Sequence, residues 1–209
     1  LGGSWRSGPP TPGAPNSVFD TEAPPQTRQV IHTPKQPTSG EAVVVTALVT
    51  DPDGVNAVSL SYQVVNPGDY YCRYLKFSSN GSANSDSRYE NPANWTTVAM
   101  ADDGLGEDLF AGDGVYTATL PGTLQTNRRL VRYRISVTDS VSNSVTVPYA
   151  DDPQPNFAYF VYDGTPDWTG VIRPGDNPVT YPGALMSSIP TYFLLSKSSW
   201  VDDSQFGGY

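Results

Sequence analysis

The chain has a single cysteine and a single histidine among its 209 residues. Cys72 alone excludes an internal disulfide and a zinc cluster built on thiolates. It sits in the aromatic run "DYYCRYLKF", which fits an inert buried thiol better than an intermolecular bridge. His32 has no second histidine to share a metal with and lies in a proline-rich stretch, which argues against a histidine metal site and a Ser-His-Asp triad. Basic residues are also scarce, 12 Lys and Arg against 21 Asp and Glu, for a formal net charge of −9. Such a chain repels nucleic acid and anionic lipid, because binding either begins with neutralising phosphates. It is compatible with divalent cations. No apolar run approaches the length of about 20 residues that a membrane-spanning helix needs, so no membrane insertion is expected. A Gly-rich phosphate loop of the right form, paired metal ligands and a base beside a nucleophile are all missing, and the expected class is not an enzyme. The chain begins at Leu1 without a signal peptide and reads as a piece of a longer protein.

Glycine and proline are abundant, with 19 and 20 copies, while convincing helical periodicity is absent. Residues 1–39 are dense in Pro, Gly, Ser and Thr and read as an extended, polyproline-like linker. Over 40–149 short strands alternate with turns. "AVVVTALVT" sets Val43, Val45, Ala47 and Val49 on one face, and "VSLSYQVV" sets Val58, Leu60, Tyr62 and Val64 inward with Ser59, Ser61 and Gln63 outward. "VYTATLP" contributes Tyr116, Ala118 and Leu120. "RLVRYRISVTD" contributes Val131, Tyr133, Ile135 and Val137, with Arg132, Arg134 and Ser136 facing water, and "SVTVP" supplies a last strand. Period-two alternation with one polar face marks antiparallel sheets covered on one side. About seven such strands make the expected fold class all-β, an immunoglobulin-like or fibronectin type III-like antiparallel sandwich with extended N- and C-terminal arms. A long polar excursion, 66–94, interrupts the strands. Residues 150–209 hold two strand-like runs, 157–162 and 191–195, too few for a core of their own.

The combination "VTDPDG…VSLSYQV…DDG…AGDGVYTATLP…VRYRISVTD" resembles the immunoglobulin-like domains that sit beside CotH-kinase-like domains in large secreted bacterial proteins. "YFVYDGTPDWTGVIRPG" followed by "SIPTYFLLSKSSWVDD" looks like the connector and first strand of a CotH-type region, and "SWRSGPPTPGAPNS" looks like the end of a lamin-tail domain. The resemblance implies a spacer module of an extracellular or cell-surface protein. No kinase residue carries over to this chain, and "GLGEDLF" is more apolar than the family's usual loop.

The sharpest chemistry lies in "DDGLGEDLFAGDG", residues 102–114. A hard cation such as calcium takes six to eight oxygens, and Asp102, Asp103, Glu107, Asp108 and Asp113 offer carboxylates beside glycines that can turn carbonyls inward. The spacing does not match an EF-hand, and Asp-Gly pairs are also good turn formers in their own right. In a fibronectin-like topology the connections after the second, fourth and sixth strands share a pole, which would bring Asp51, Asp53 and Asp139 near the same loop. Cation site and bare turn therefore both remain open. Asp113-Gly114 is expected to launch the strand at Val115 in either case.

Two sequons, at Asn80 and Asn94, fall in or beside the excursion. Tyr70, Tyr71, Tyr74, Phe77, Trp95, Trp168 and Trp200 offer either a carbohydrate platform or the cover of a sandwich edge. The expected partners are neighbouring domains. The alternative is a structural subunit that assembles with identical copies into a fibre or surface layer through its terminal arms.

Overall fold

The computed structural model describes residues 8–15, 22–75 and 84–206. Its principal strands, in chain order, are β1 (Gln26–Thr33), β2 (Val43–Thr50), β3 (Val55–Val65), the short β4 (Tyr74–Leu75) and β5 (Asn84–Ser85), β6 (Thr96–Met100), β7 (Val115–Leu120), β8 (Leu130–Asp139), β9 (Ser144–Val147) and β10 (Phe157–Phe160). A small hairpin, β11 (Trp168–Gly170) with β12 (Val179–Tyr181), follows. Among the described residues there are three α-helices: α1 (Ser87–Glu90), α2 (Gly183–Met186) and α3 (Ser198–Phe206). None of the described helices is long and apolar enough to cross a membrane.

Two antiparallel sheets face each other. One has the order β1-β2-β7, and the other β10-β8-β3-β6 with β9 also paired to β8. β9 and β10 share one edge of β8, β9 against Ile135–Thr138 and β10 against Leu130–Tyr133. The alternation seen in the sequence is realised where it is strict. Val43, Val45, Ala47 and Val49 from one sheet meet Val58, Leu60, Val131, Tyr133, Ile135 and Val137 from the other in a single buried cluster, which Ala118 and Leu120 extend. Tyr62 and Tyr116 are half-buried at its margin.

Four expectations need correction. Residues 26–33 are not linker but strand β1, paired along β2 from Gln26↔Thr50 to Thr33↔Val44. The run from 157 is the strand β10 of the second sheet, so the sheets draw on residues either side of 40–149. Residues 191–195 form no strand. Finally, Gln63 and Arg132 do not face water: they are 1% and 3% exposed. The excursion between β3 and β6 folds back over the outer face of the sheet, where the Arg132 guanidinium donates to the Tyr71 carbonyl, so this end of the sheet is covered on both sides.

His32 links the two layers from β1. Its Nε2 lies 3.3 Å from the Lys35 carbonyl, which can only accept, so in the neutral ring Nδ1 accepts from the Tyr133 hydroxyl at 2.9 Å. Tyr159 packs on the same imidazole with ring centroids 5.3 Å apart, and its own hydroxyl accepts from buried Gln125 at 2.9 Å. Burial lowers the His32 pKa below its ordinary 6.5, with a backbone hydrogen bond to Lys35 opposing in part. Burial also pushes Tyr159 up to about 12 and Tyr133 higher still.

Truncating Ile135 to Ala should cost about 2–5 kcal/mol in urea denaturation, as for other fully buried large-to-small changes. An effect below that range would mean the two sheets do not close on it. For His32 the folded pKa is the lower one, so the unfolded chain takes up the proton first. Stability should therefore fall as pH drops through 6.5 towards the folded value. The decline in denaturation midpoint across that window should be smaller in His32→Gln than in the wild type, and equal declines would remove His32 as its cause.

Candidate metal centre

The three connections at one end of the sandwich do share a pole. β3 begins where β8 ends, with Val55 opposite Asp139, and the Ser140 amide donates to the Gly54 carbonyl at 2.9 Å. β7 joins the same end, where the Val49 amide donates to the Gly114 carbonyl at 2.8 Å. The chain also enters the sandwich here, since Asn143 Nδ2 donates to the Glu22 carbonyl at 3.1 Å.

The acidic loop is organised by its own carboxylates. Asp102 Oδ1 accepts from the amides of Gly112 and Asp113 at 2.6 and 3.2 Å, and Oδ2 from that of Gly114 at 2.9 Å. One side chain thus ties the end of the loop to its start. Asp108, 6% exposed, accepts from the Gly104 amide at 2.6 Å and closes the first half of the loop. Asp103 and Asp113 each cap the amide two residues on, Leu105 at 3.0 Å and Val115 at 2.8 Å, which is the local turn chemistry expected of aspartate. Gly114 has φ 82°, and a Cβ there would lie 3.1 Å from the Val49 carbonyl oxygen. The expected turn into β7 is present, and only glycine fits it without strain.

Of the eight carboxylates expected at this pole, the fold brings three to one point. One oxygen from each of Asp102, Asp108 and Asp113 lies within 4.8 Å of the other two. Asp103 and Glu107 are exposed and stay out of this group. Asp139, 1% exposed, is consumed by its own turn: Oδ1 accepts from the Val141 and Asn143 amides at 3.0 and 2.7 Å, and Oδ2 from Asn143 Nδ2 at 2.9 Å. Asp51 accepts from the Asp53 amide at 2.8 Å within its own turn, and one buried oxygen of each residue lacks a hydrogen-bond partner.

Among the described residues no Lys or Arg forms a salt bridge with Asp102, Asp108 or Asp113. Three carboxylates this close repel one another, and backbone amides offset that only in part. Hard oxygen donors, glycine-rich backbone and no competing base are a donor set that suits Ca²⁺. They do not suit Zn²⁺, which favours nitrogen and sulfur ligands.

The other candidate residues lie elsewhere. Asn80, Phe77 and the side chain of Tyr74 fall outside the described parts of the structure. Asn94 is exposed at the end of a short 3-10 turn, and its Nδ2 donates to the Arg88 carbonyl at 2.8 Å. Tyr70, Tyr71 and Trp95 make no open carbohydrate platform, because arginine guanidinium groups cover them at 4.5–5.3 Å. Trp168 leans on Tyr181 in the small hairpin, with centroids 5.6 Å apart, and Lys197 lies over Trp200 at 4.6 Å. Cys72 is half-buried. Reading from the sequence alone missed Arg132, the arginine of β8 buried beneath this excursion, for which the alternating tyrosines and arginines of "DYYCRY" and "RLVRYR" were the available signal.

Asp102→Ala should cost about 1–3 kcal/mol in chelator-treated protein, since several amides lose their acceptor. Gly114→Val should cost roughly 1 kcal/mol or more through its positive φ. Chemical denaturation checks both, and a neutral Asp102→Ala would show that the amide contacts do not hold the loop.

In comparisons with known proteins, no family model matches the chain and no curated protein matches its sequence.

Proposed function

We propose that this chain is a non-catalytic spacer or adhesion module of an extracellular or cell-surface bacterial protein, of immunoglobulin-like and fibronectin type III-like type, stiffened at one pole by calcium. The strand orders support the type: β1-β2-β7 opposite β9/β10-β8-β3-β6 correspond to A-B-E opposite G-F-C-C′. The observation that carries the cation reading is the convergence of Asp102, Asp108 and Asp113 without a basic partner, at the pole where the chain enters. A cation there would lock the loop to the start of β7 and hold the junction with whatever precedes β1. Tension or orientation passed along a string of domains depends on such junctions.

A second reading, a subunit of a fibre or surface layer, is favoured by the exposed apolar residues of the C-terminal segment. Tyr192, Leu194 and Ile172 are 91%, 83% and 79% exposed. The covered aromatics leave little support for a carbohydrate-binding module.

Calcium titrated into chelator-treated protein should release or absorb heat and raise the melting temperature by mass action. Asp108→Asn and Asp113→Asn should each abolish that rise while leaving the chelated protein nearly unchanged. The absence of both heat and shift would reject the site and leave a turn. On a sizing column the spacer should run as a monomer at every concentration. Growth of larger species with concentration would favour the fibre instead.

A further inference from the structure

In a chain of net charge −9, the excursion and the outer face of the second sheet bring together four arginines, Arg73, Arg88, Arg132 and Arg134. Arg88 pairs with Asp86 at 2.6 Å, while Arg73 and Arg134 converge on Glu90 at 2.8 and 3.6 Å. Arg132 has no carboxylate partner among the described residues, although it is 3% exposed. Its Nη1 donates to Gln63 Oε1 at a long 3.3 Å and its Nη2 to the Tyr71 carbonyl at 2.5 Å. A guanidinium carries five N–H donors, so most of its capacity is unspent. The rings of Tyr70, Tyr71 and Tyr89 lie 5.0–5.4 Å away. Cation–π attraction offsets only part of the desolvation of a buried charge. Beside it Gln63, 1% exposed, has a buried Nε2 without an acceptor. A cation without an anion and a donor without an acceptor thus stand side by side.

Arg132 lines an open cavity of about 410 Å³, within the range of small-molecule sites. Leu130, Ala158 and Leu195 supply apolar wall, and Tyr70 and Tyr89 supply rings. We infer that this cavity binds a small organic carboxylate, its anionic group on the Arg132 guanidinium and its body against Tyr70, Leu130 and Leu195. A single carboxylate matches one unpaired guanidinium in a planar, two-point contact. A phosphate dianion would need more donors, and Glu90, already shared by Arg73 and Arg134, opposes a second negative charge. The site lies towards the Leu130 end of β8, away from the acidic pole, and stands whether or not calcium binds there.

The test is calorimetric titration of the full chain with benzoate and with glucuronate, and with sulfate and inorganic phosphate as comparisons. At least one carboxylate should bind saturably with a Kd on the order of 1 mM or tighter. Arg132→Gln should weaken it about tenfold or more, the loss of one charge-assisted contact. Ala158→Trp, on the exposed edge strand β10 directly opposite Arg132, fills the cavity while leaving the guanidinium charge in place and should weaken binding as much; it decides the matter if Arg132→Gln does not fold. Three results would each overturn the assignment: neither carboxylate saturates, Ala158→Trp binds as the wild type does, or an inorganic anion binds more tightly than both carboxylates.

Discussion

The antiparallel ladder between β3 and β8 holds the molecule in register. It runs from Val55↔Asp139 to Val65↔Leu130, with one irregularity near its start. Every pair sets one side chain towards the facing sheet or away from it, so a slip of one residue would drive Arg132, Arg134 and Ser136 into the apolar core. The other elements hang on this pair. β6 takes the free edge of β3, while β9 and β10 divide the free edge of β8. Since β3 starts where β8 finishes, residues 51–54 must meet residues 140–143, and the acidic pole follows from the ladder itself.

The same ladder explains why charge is tolerated on the outer face. Near its Val65 end, the strands no longer present a wet surface, because the excursion lies across them with Tyr71 and Tyr89 buried. Arginine is the cation suited to that position: its planar, weakly hydrated head stacks on tyrosine faces while its N–H groups reach backbone carbonyls. Tyr89 joins this layer to β10 from above, its hydroxyl donating to Asn156 Oδ1 at 2.6 Å. The outer face thus behaves as a second, polar core held by rings and guanidinium groups.

The inner core was legible in the sequence because strict alternation in "VVVTALV", "VSLSY" and "RLVRYRISV" has one cause, a face buried against another sheet. β1 was hidden for a physical reason. Its pairing with β2 shifts between Arg28 and Ile31, where Gln29 takes φ 51°, and this bulge destroys period-two spacing inside a proline-rich neighbourhood. Gln63 and Arg132 alternate as outward residues, and nothing local says that a segment distant in sequence will cover them. At the acidic pole the residue types were readable but their division was not. Asp139 and Asp102 differ only in which amides the backbone offers them, and that depends on the turn each closes.

β1 enters the sandwich at the acidic pole and β10 leaves at the opposite one, where the Val161 amide donates to the Arg129 carbonyl and the Asp163 carboxylate accepts from Ser39. A pull applied through residues 24 and 162 therefore acts along both strand axes in opposite directions. In that geometry the interstrand hydrogen bonds of β1 with β2, and of β10 with β8, share the load in shear. They would have to rupture together, where strands peeled from a common end would open one bond at a time.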